Sequence, residues 1–149
     1  MAPVLLLLVL LAEAASDLIE VTMDPGDDAT LPCRAADSSI RAVEWSRPDL
    51  QPDYVLLYRD GRPDPYHQHL SFRDRVDLVD RDLKDGDVSL TLKNVNINDT
   101  GTYECRVAPG VSRRKKRAVI DSEPIRIIRL KVTGEVVSLW VFFYRLQVR

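Results

Sequence analysis

The sequence has few of the residues from which active sites are usually built. Its 149 residues include two cysteines and two histidines. It contains no Gly-x-Ser-x-Gly elbow, phosphate-binding loop, Cys-x-x-Cys or His-Glu-x-x-His motif. The two histidines, His67 and His69, have no cysteine or third histidine nearby to complete a zinc site, and they are poor material for acid–base catalysis. We therefore expect no enzyme activity, no metal and no cofactor.

Long hydrophobic runs are also absent. A membrane-spanning helix needs about 20 apolar residues. Val4–Leu11 is shorter, and it is followed by Ala12-Glu13-Ala14, which has the small-x-small form of a cleavage site. Residues 1–14 are therefore predicted to be a secretory signal cleaved near Ala14. Val136–Tyr144 is short as well. Residues 134–149 are therefore interpreted as a short apolar and basic tail: a truncated membrane anchor, the end of a soluble splice form, or an adhesive tail.

Charge is unevenly distributed although the formal net charge is only −2. Residues Ala15–Cys105 contain 10 basic and 19 acidic side chains, whereas Arg106–Arg149 contain 11 basic and 3 acidic ones. Such asymmetry produces a field that could orient a charged partner.

Two cysteines, a tryptophan and a tyrosine carry the fold prediction. Trp45 follows Cys33 by 12 positions, 71 residues separate Cys33 from Cys105, and Tyr103 lies two positions before Cys105. This spacing is typical of an all-β immunoglobulin sandwich, in which one inter-sheet disulfide packs against a tryptophan and a tyrosine corner precedes the second cysteine. A secreted chain favours the disulfide over free thiols. We assign this domain to residues 15–133, with recognition rather than catalysis as its function.

Alternating apolar residues predict about nine short strands. The surplus over a seven-stranded sandwich lies between Trp45 and Val76, where V-type domains insert two strands. The apolar parity changes between Ile127 and Ile128, which predicts a β-bulge or a bend there.

Several motifs together resemble the V-type domain of butyrophilins and myelin-oligodendrocyte glycoprotein, relatives of the T-cell co-signalling ligands. They are Val43-Glu44-Trp45, Leu57-Tyr58-Arg59-Asp60-Gly61, Phe72-Arg73-Asp74-Arg75-Val76, Val88-Ser89-Leu90-Thr91-Leu92-Lys93-Asn94-Val95 and Asp99 to Cys105. The resemblance implies an ion pair between Arg75 and Asp99. The last strand lacks the Phe/Trp-Gly-x-Gly motif of antigen-receptor joining segments, which argues against an antibody or T-cell-receptor chain.

Two surface motifs lie near the second cysteine. Asn98-Asp99-Thr100 is an N-glycosylation sequon, expected on an exposed turn. An unused sequon is the alternative, because Asp in the middle position and a tight turn both hinder the transferase. The basic stretch, Arg113, Arg114, Lys115, Lys116 and Arg117, falls in the predicted loop before the last strand. It is interpreted as a solvated loop without a partner, a contact for an acidic receptor or sulfated glycan, or a proprotein-convertase site cleaved after Arg117.

We expect the chain to bind a protein receptor on a lymphocyte and to tune T-cell activation, without binding nucleic acid. The expected contact surface is the outward face of the sheet that carries Trp45 and Cys105, together with the basic stretch. By alternation its outward residues are Glu44, Ser46, Leu56, Tyr58, Glu104 and Arg106. Leu56 or Tyr58 packing beneath the Arg62–Leu70 segment is the alternative. Homophilic adhesion through the same sheet, with a homodimer, and glycan binding through the basic stretch are the alternative functions.

Overall fold

A computed structural model describes residues 18–36, 39–110 and 123–133. Within these residues the chain forms nine β-strands and three single-turn 3₁₀ helices. The strands are β1 (Leu18–Met23), β2 (Ala29–Leu31), β3 (Ile40–Ser46), β4 (Leu56–Arg59), β5 (Arg62–Pro63), β6 (Val76–Leu78), β7 (Leu90–Leu92), β8 (Gly101–Pro109) and β9 (Arg126–Val132). The 3₁₀ helices are Pro48–Leu50, Leu70–Phe72 and Ile97–Asp99.

The strands form two sheets packed face to face. One sheet has six strands in the order β1-β9-β8-β3-β4-β5, and the other has three in the order β2-β7-β6. Neighbouring strands are antiparallel except β1, which runs parallel to β9 from the Leu18–Ile127 pair to the Met23–Val132 pair. The predicted all-β sandwich of about nine strands is confirmed.

The two strands inserted after Trp45 are β4 and β5, which form a tight hairpin. Arg59 pairs with Arg62 across a two-residue loop, and both loop residues have positive φ, 55° at Asp60 and 78° at Gly61. Two left-handed residues give a turn whose twist matches that of the flanking strands, and Asp-Gly is a favoured pair for it. The hairpin extends the six-stranded sheet on its β3 side.

The core lies between the sheets and is closed by aromatic side chains. Trp45, Phe72 and Tyr103 are fully buried, and the rings of Phe72 and Tyr103 meet edge to face with centroids 6.2 Å apart. Aliphatic side chains from both sheets complete this core, among them Leu31, Val43, Leu90, Leu92, Ile128 and Leu130. The alternation predicted along most strands therefore positions one apolar face of each sheet inward.

The bulge expected between Ile127 and Ile128 is wrong. Pairing of β9 with β8 continues without a break from Arg126 to Leu130, and its pairing with β1 is also continuous. Ile128 is buried in the core, whereas Ile127 lies on the outward face and is half-buried. The parity change arises because apolar residues occupy both faces of β9.

Candidate functional site

A disulfide joins the two sheets beneath the tryptophan, as predicted. Cys33 follows β2 of the three-stranded sheet and is bonded to Cys105 in β8 of the other sheet. Trp45 lies directly opposite Cys105 on β3, and its indole N–H donates to the carbonyl oxygen of Val88 at 2.9 Å. The hydrogen bond satisfies the indole donor inside the core.

A serine and an aspartate lie beside this disulfide. The Cys33 N–H donates to Ser89 Oγ at 3.0 Å, and the Ser89 hydroxyl lies 2.6 Å from Asp87 Oδ1. Hydrogen bonds from the Ser89 side chain and backbone, which favour the charged carboxylate, lower the pKa of Asp87. Ser89 thus couples the charge of a surface carboxylate to the backbone at the disulfide.

An ion pair closes the lower end of the sandwich, the end formed by Arg47, Arg75, the Ile97–Asp99 helix and Val132. Arg75 Nη1 and Nη2 lie 3.2 and 2.5 Å from the two carboxylate oxygens of Asp99, which is 3% exposed. The Asn96 N–H donates to the same carboxylate, which caps the 3₁₀ helix. The pair implied by the resemblance is thus present in the structure.

The tyrosine corner is bonded to the same turn through the backbone of Asp99. Tyr103 is fully buried, and its hydroxyl donates to the backbone carbonyl of Asp99 at 2.6 Å. Burial raises the pKa of Tyr103 because the charged phenolate loses its solvation. The hydroxyl therefore stays a donor and fixes the turn that carries Asn98.

Arg47 is a structural residue that the sequence reasoning missed. Its guanidinium group forms two hydrogen bonds with Asp49, donates to the carbonyl of Asn98 at 3.2 Å, and lies 5.4 Å from the ring centre of Tyr103. Burial favours a lower pKa for Arg47, but its interactions with Asp49 and Tyr103 together outweigh burial and raise the pKa. The absence of a side chain at Gly101 makes room for this group, because a Cβ there would lie 2.9 Å from it.

The outward face of the six-stranded sheet carries a ladder of charges. Glu44 and Ser46 on β3 lie opposite Arg106 and Glu104 on β8. Arg106 Nη1 is 2.9 Å from Glu104, 3.9 Å from Glu44 and 3.2 Å from Ser46 Oγ. These four residues face outward as expected, but Glu44 and Ser46 are only 3% and 2% exposed, whereas Glu104 and Arg106 are half-buried. The accessible part of the ladder is therefore on β8.

The expectation that Leu56 and Tyr58 face outward is wrong. Leu56 pairs with Trp45 and Tyr58 with Val43, so both share the inward face of the sheet and belong to the core. The Tyr58 hydroxyl donates to the carbonyl oxygens of Gly61 and Arg81. The outward position beside Glu44 belongs to Leu57, itself 2% exposed. Because β4 is apolar on both faces, alternation alone could not assign its parity.

On the outward face of this sheet, accessible apolar side chains lie instead near the β1 edge, away from β4. The outer patch, defined here as Leu18, Ile125 and Ile127, lies on β1, just before β9, and on β9. Leu18 is 47% exposed and lies opposite Ile127, and Ile125 is 40% exposed. Glu104 lies opposite Ile127 on β8, so the charge ladder borders the outer patch. The outward side chains at this end of β1 and β9 are aliphatic, where a solvent-facing sheet would usually be polar. Further along the same face the outward residues are polar: Glu20, Thr22, Arg129 and Lys131.

The remaining candidate residues are placed as follows. Among the described residues no group of three or more potential ligands could hold a metal ion, and His69 Nδ1 accepts a hydrogen bond from the Ser71 N–H. Asn98 is exposed in the Ile97–Asp99 helix. The predicted signal, the basic stretch Arg113–Arg117 and the tail lie outside the described residues. No helix in the described part of the chain is long and apolar enough to cross a membrane.

Comparison with known protein families gives a result that agrees with this fold. The family model for the immunoglobulin V-set domain matches residues 19–120. The chain therefore belongs to the immunoglobulin V-set family.

Comparison with individual proteins identifies butyrophilin-like relatives. Human butyrophilin subfamily 1 member A1 is 31% identical over 119 residues, which cover 74% of this chain and 22% of that protein. Myelin-oligodendrocyte glycoprotein of Macaca fascicularis is 34% identical over 83 residues, which cover 54% of this chain and 33% of that protein. The chain thus matches a fifth to a third of the length of these relatives.

Solved structures show the same sandwich. Bovine butyrophilin superposes with a TM-score of 0.61 at 26% identity, covering 76% of this chain and 50% of that chain. The IgV-like domain of human B7-H4 gives 0.57 at 24% identity, covering 77% and 91%. A chain of the complex of ICOS with ICOS-L and an anti ICOS-L VNAR domain gives 0.56 at 18% identity, covering 77% and 53%. The last two matches support the fold alone.

Proposed function

We propose that the chain is a butyrophilin-type recognition module that acts outside the cell, binds a protein receptor on a lymphocyte and tunes T-cell activation. It works by binding and catalyses no reaction. The observation that carries the proposal is the outer patch, an accessible group of aliphatic side chains on an outward sheet face of a V-set domain.

The outer patch is apolar, as the buried centre of a protein interface tends to be. Leu18 and Ile125 are 47% and 40% exposed, and Ile127 lies opposite Leu18 in the next strand. Fully burying an aliphatic side chain contributes about 1.5–3 kcal/mol, so covering the half-exposed part of each should contribute about 1 kcal/mol. Glu104 and Arg106, which border the patch, would then set orientation and association rate.

The proposed location follows from the predicted secretory signal and from the disulfide. A chain that enters the secretory pathway meets an oxidising environment in which the Cys33–Cys105 bond is stable. We propose display at the outer side of the plasma membrane or release from the cell; in the displayed form residues 134–149 would be the first part of a longer membrane anchor.

Binding of the full chain to lymphocytes tests this function. The secreted chain, multimerised through a carboxy-terminal tag, is added to resting and activated T cells, and binding is measured by flow cytometry. Ile127→Arg should lower affinity at least about tenfold, equivalent to about 1.4 kcal/mol, because it puts a charge into the apolar contact. Thr30→Arg is the matched control, since Thr30 is an exposed outward residue of the other sheet.

The outcomes separate the proposed function from its alternatives. Lymphocyte binding that Ile127→Arg weakens and Thr30→Arg leaves intact supports the outer patch, and altered proliferation with immobilised chain supports modulation. No binding to T cells, combined with micromolar self-association in sedimentation velocity, would instead support homophilic adhesion. Retention on heparin that falls steeply with salt and is lost when Arg113–Arg117 are replaced by serine would support glycan binding through the basic stretch.

A further inference from the structure

The lower end of the sandwich carries the Asn98-Asp99-Thr100 sequon, which the proposed function does not use. We propose that Asn98 bears an N-linked oligosaccharide that is attached before the domain closes and lies at the end of the sandwich where the chain continues beyond Thr133. This inference rests on the proposed secretory location but not on receptor binding.

The backbone around Asn98 is fixed while its side chain stays accessible. The Asn98 N–H donates to Asn96 Oδ1 at 2.9 Å, and its carbonyl oxygen accepts from Arg47 at 3.2 Å. The residue is exposed, and among the described residues its side-chain amide has no hydrogen-bond partner. Asp99, the middle residue of the sequon, turns its carboxylate inward to Arg75, so that group lies away from the modified side chain.

The threonine of the sequon is engaged by the last strand. Thr100 Oγ1 accepts a hydrogen bond from the Val132 N–H at 3.1 Å. A sequon requires its hydroxyl residue for recognition by the transferase. In the folded domain β9 holds the Thr100 oxygen through this bond, although the residue is exposed and its O–H can still donate. The 3₁₀ helix also fixes the Asn98 backbone, so the folded sequon presents a single conformation to the transferase. Attachment should therefore precede the docking of β9.

The reaction is a group transfer in the secretory pathway. The Asn98 side-chain nitrogen attacks the anomeric carbon of an oligosaccharide carried on a lipid pyrophosphate. The new C–N bond replaces the bond between that carbon and the pyrophosphate oxygen, and the lipid pyrophosphate leaves with the electron pair. The amide nitrogen gives up one proton to a base of the transferase, so no oxidant or reductant is needed.

The glycan would lie at the end of the sandwich near Thr133, far from the other end of β8. Thr133 N–H donates to the carbonyl of Met23, next to the Val132–Thr100 contact, so the described chain ends at the sequon. Strand β8 has nine residues, and at about 3.3 Å per residue its far end is about 26 Å from Gly101. Ile97, a 47% exposed apolar residue, is the immediate neighbour of the attachment site. A sugar there would shield Ile97 and the end of β9 and leave the far end of β8 uncovered.

Expression of the full chain in mammalian cells tests attachment. The wild type should show an electrophoretic shift that peptide-N-glycosidase F removes, in lysate and medium alike. Asn98→Gln and Thr100→Ala should lose the shift, whereas Thr100→Ser, which keeps a hydroxyl, should retain it. An unshifted wild type, or a glycosidase-sensitive shift in Asn98→Gln, would overturn the assignment. Because the lysate is scored, a variant that folds poorly is still informative, and lymphocyte binding does not enter the readout.

The proposed order of events has its own test. Unglycosylated full chain from bacteria is incubated with oligosaccharyltransferase and lipid-linked donor, either folded with its disulfide intact or reduced, alkylated and unfolded. The unfolded chain should be modified and the folded chain should resist modification. Equal modification of both forms would refute the claim that attachment precedes the docking of β9.

Discussion

Removing the Arg75 side chain should destabilise the domain more than neutralising its partner. Arg75 Nη2 is 2.5 Å from Asp99, and the guanidinium also donates to the carbonyls of Ser71, Lys93 and Asn94. In Arg75→Ala the Asp99 carboxylate stays buried with the Asn96 N–H as its remaining described donor. Breaking a buried pair in this way costs about 3–5 kcal/mol, which is a large part of the stability of a small domain.

Replacing the partner, Asp99→Asn, should destabilise the domain less, because Arg75 keeps other hydrogen-bond partners whereas Asp99 keeps few. In Asp99→Asn the guanidinium keeps three carbonyl acceptors, and its side chain is 22% exposed to water. Losing a hydrogen bond to a charged group costs about 1.5–3 kcal/mol. The double variant Arg75→Ala/Asp99→Asn should lose less unfolding free energy than the sum of the two single losses, by at least about 1 kcal/mol, because the two side chains interact directly.

Urea unfolding of the full chain with its disulfide intact measures these differences. Equal m-values across the variants are needed to compare their free energies of unfolding. Arg81→Ala is the matched control, because Arg81 forms an ion pair with Asp77 on the surface and its loss should change the midpoint little. The reasoning is refuted if Arg75→Ala costs less than about 1 kcal/mol, or if the effects of the two single substitutions are additive.

Three further substitutions test other parts of the fold. Gly101→Ala should lower the free energy of unfolding by about 1–3 kcal/mol, because the new Cβ meets Arg47, and adding Arg47→Ala should relieve most of this cost; strict additivity of the two would contradict it. Because the folded pKa of Asp87 lies below its unfolded value, its contribution is present above about pH 4 and is lost as the pH falls further, so Asp87→Asn should flatten the acid side of the stability curve. If wild type and Asp87→Asn gave superimposable curves of unfolding free energy against pH from about pH 7 into the acid range, the hydrogen bonds from Ser89 would not stabilise the Asp87 carboxylate. Cys33→Ser should cost about 4 kcal/mol and abolish secretion, and normal secretion at an unchanged melting temperature would be inconsistent with a structural disulfide.

The sequence predicted correctly those features whose residue types and spacing are compatible with few structures. Cys33 and Cys105 at this spacing, with Trp45 and Tyr103 at fixed offsets, left few arrangements other than the disulfide-linked sandwich. The Arg75–Asp99 contact came from the family resemblance, because a surface full of aspartates offers no local reason to choose that partner.

Strands that are apolar on both faces were assigned wrongly, and for one reason. In β4 the run that contains Leu56, Leu57 and Tyr58 has no period of two, and the true parity is set by pairing with Trp45 on β3. In β9 the outward Ile127 lies next to the inward Ile128, and this apolar pair gave the same change of parity that an inserted residue would give. Long-range register decides both cases, and a single sequence does not contain it. The buried position of Arg47 was missed because its partners, Asn98 and Tyr103, are distant in sequence.

The parallel pairing of β1 with β9 has a consequence for how the domain folds. It joins the first described strand to the last, so the longest loop closed by any pair of described strands must close before this contact forms. Such high contact order slows folding, and it makes completion of the sheet a late event that awaits release of the whole domain from the ribosome. Until then β8 and β1 each have an open edge facing the gap that β9 will fill, so a nascent chain stalled before residue 126 should aggregate and depend on chaperones.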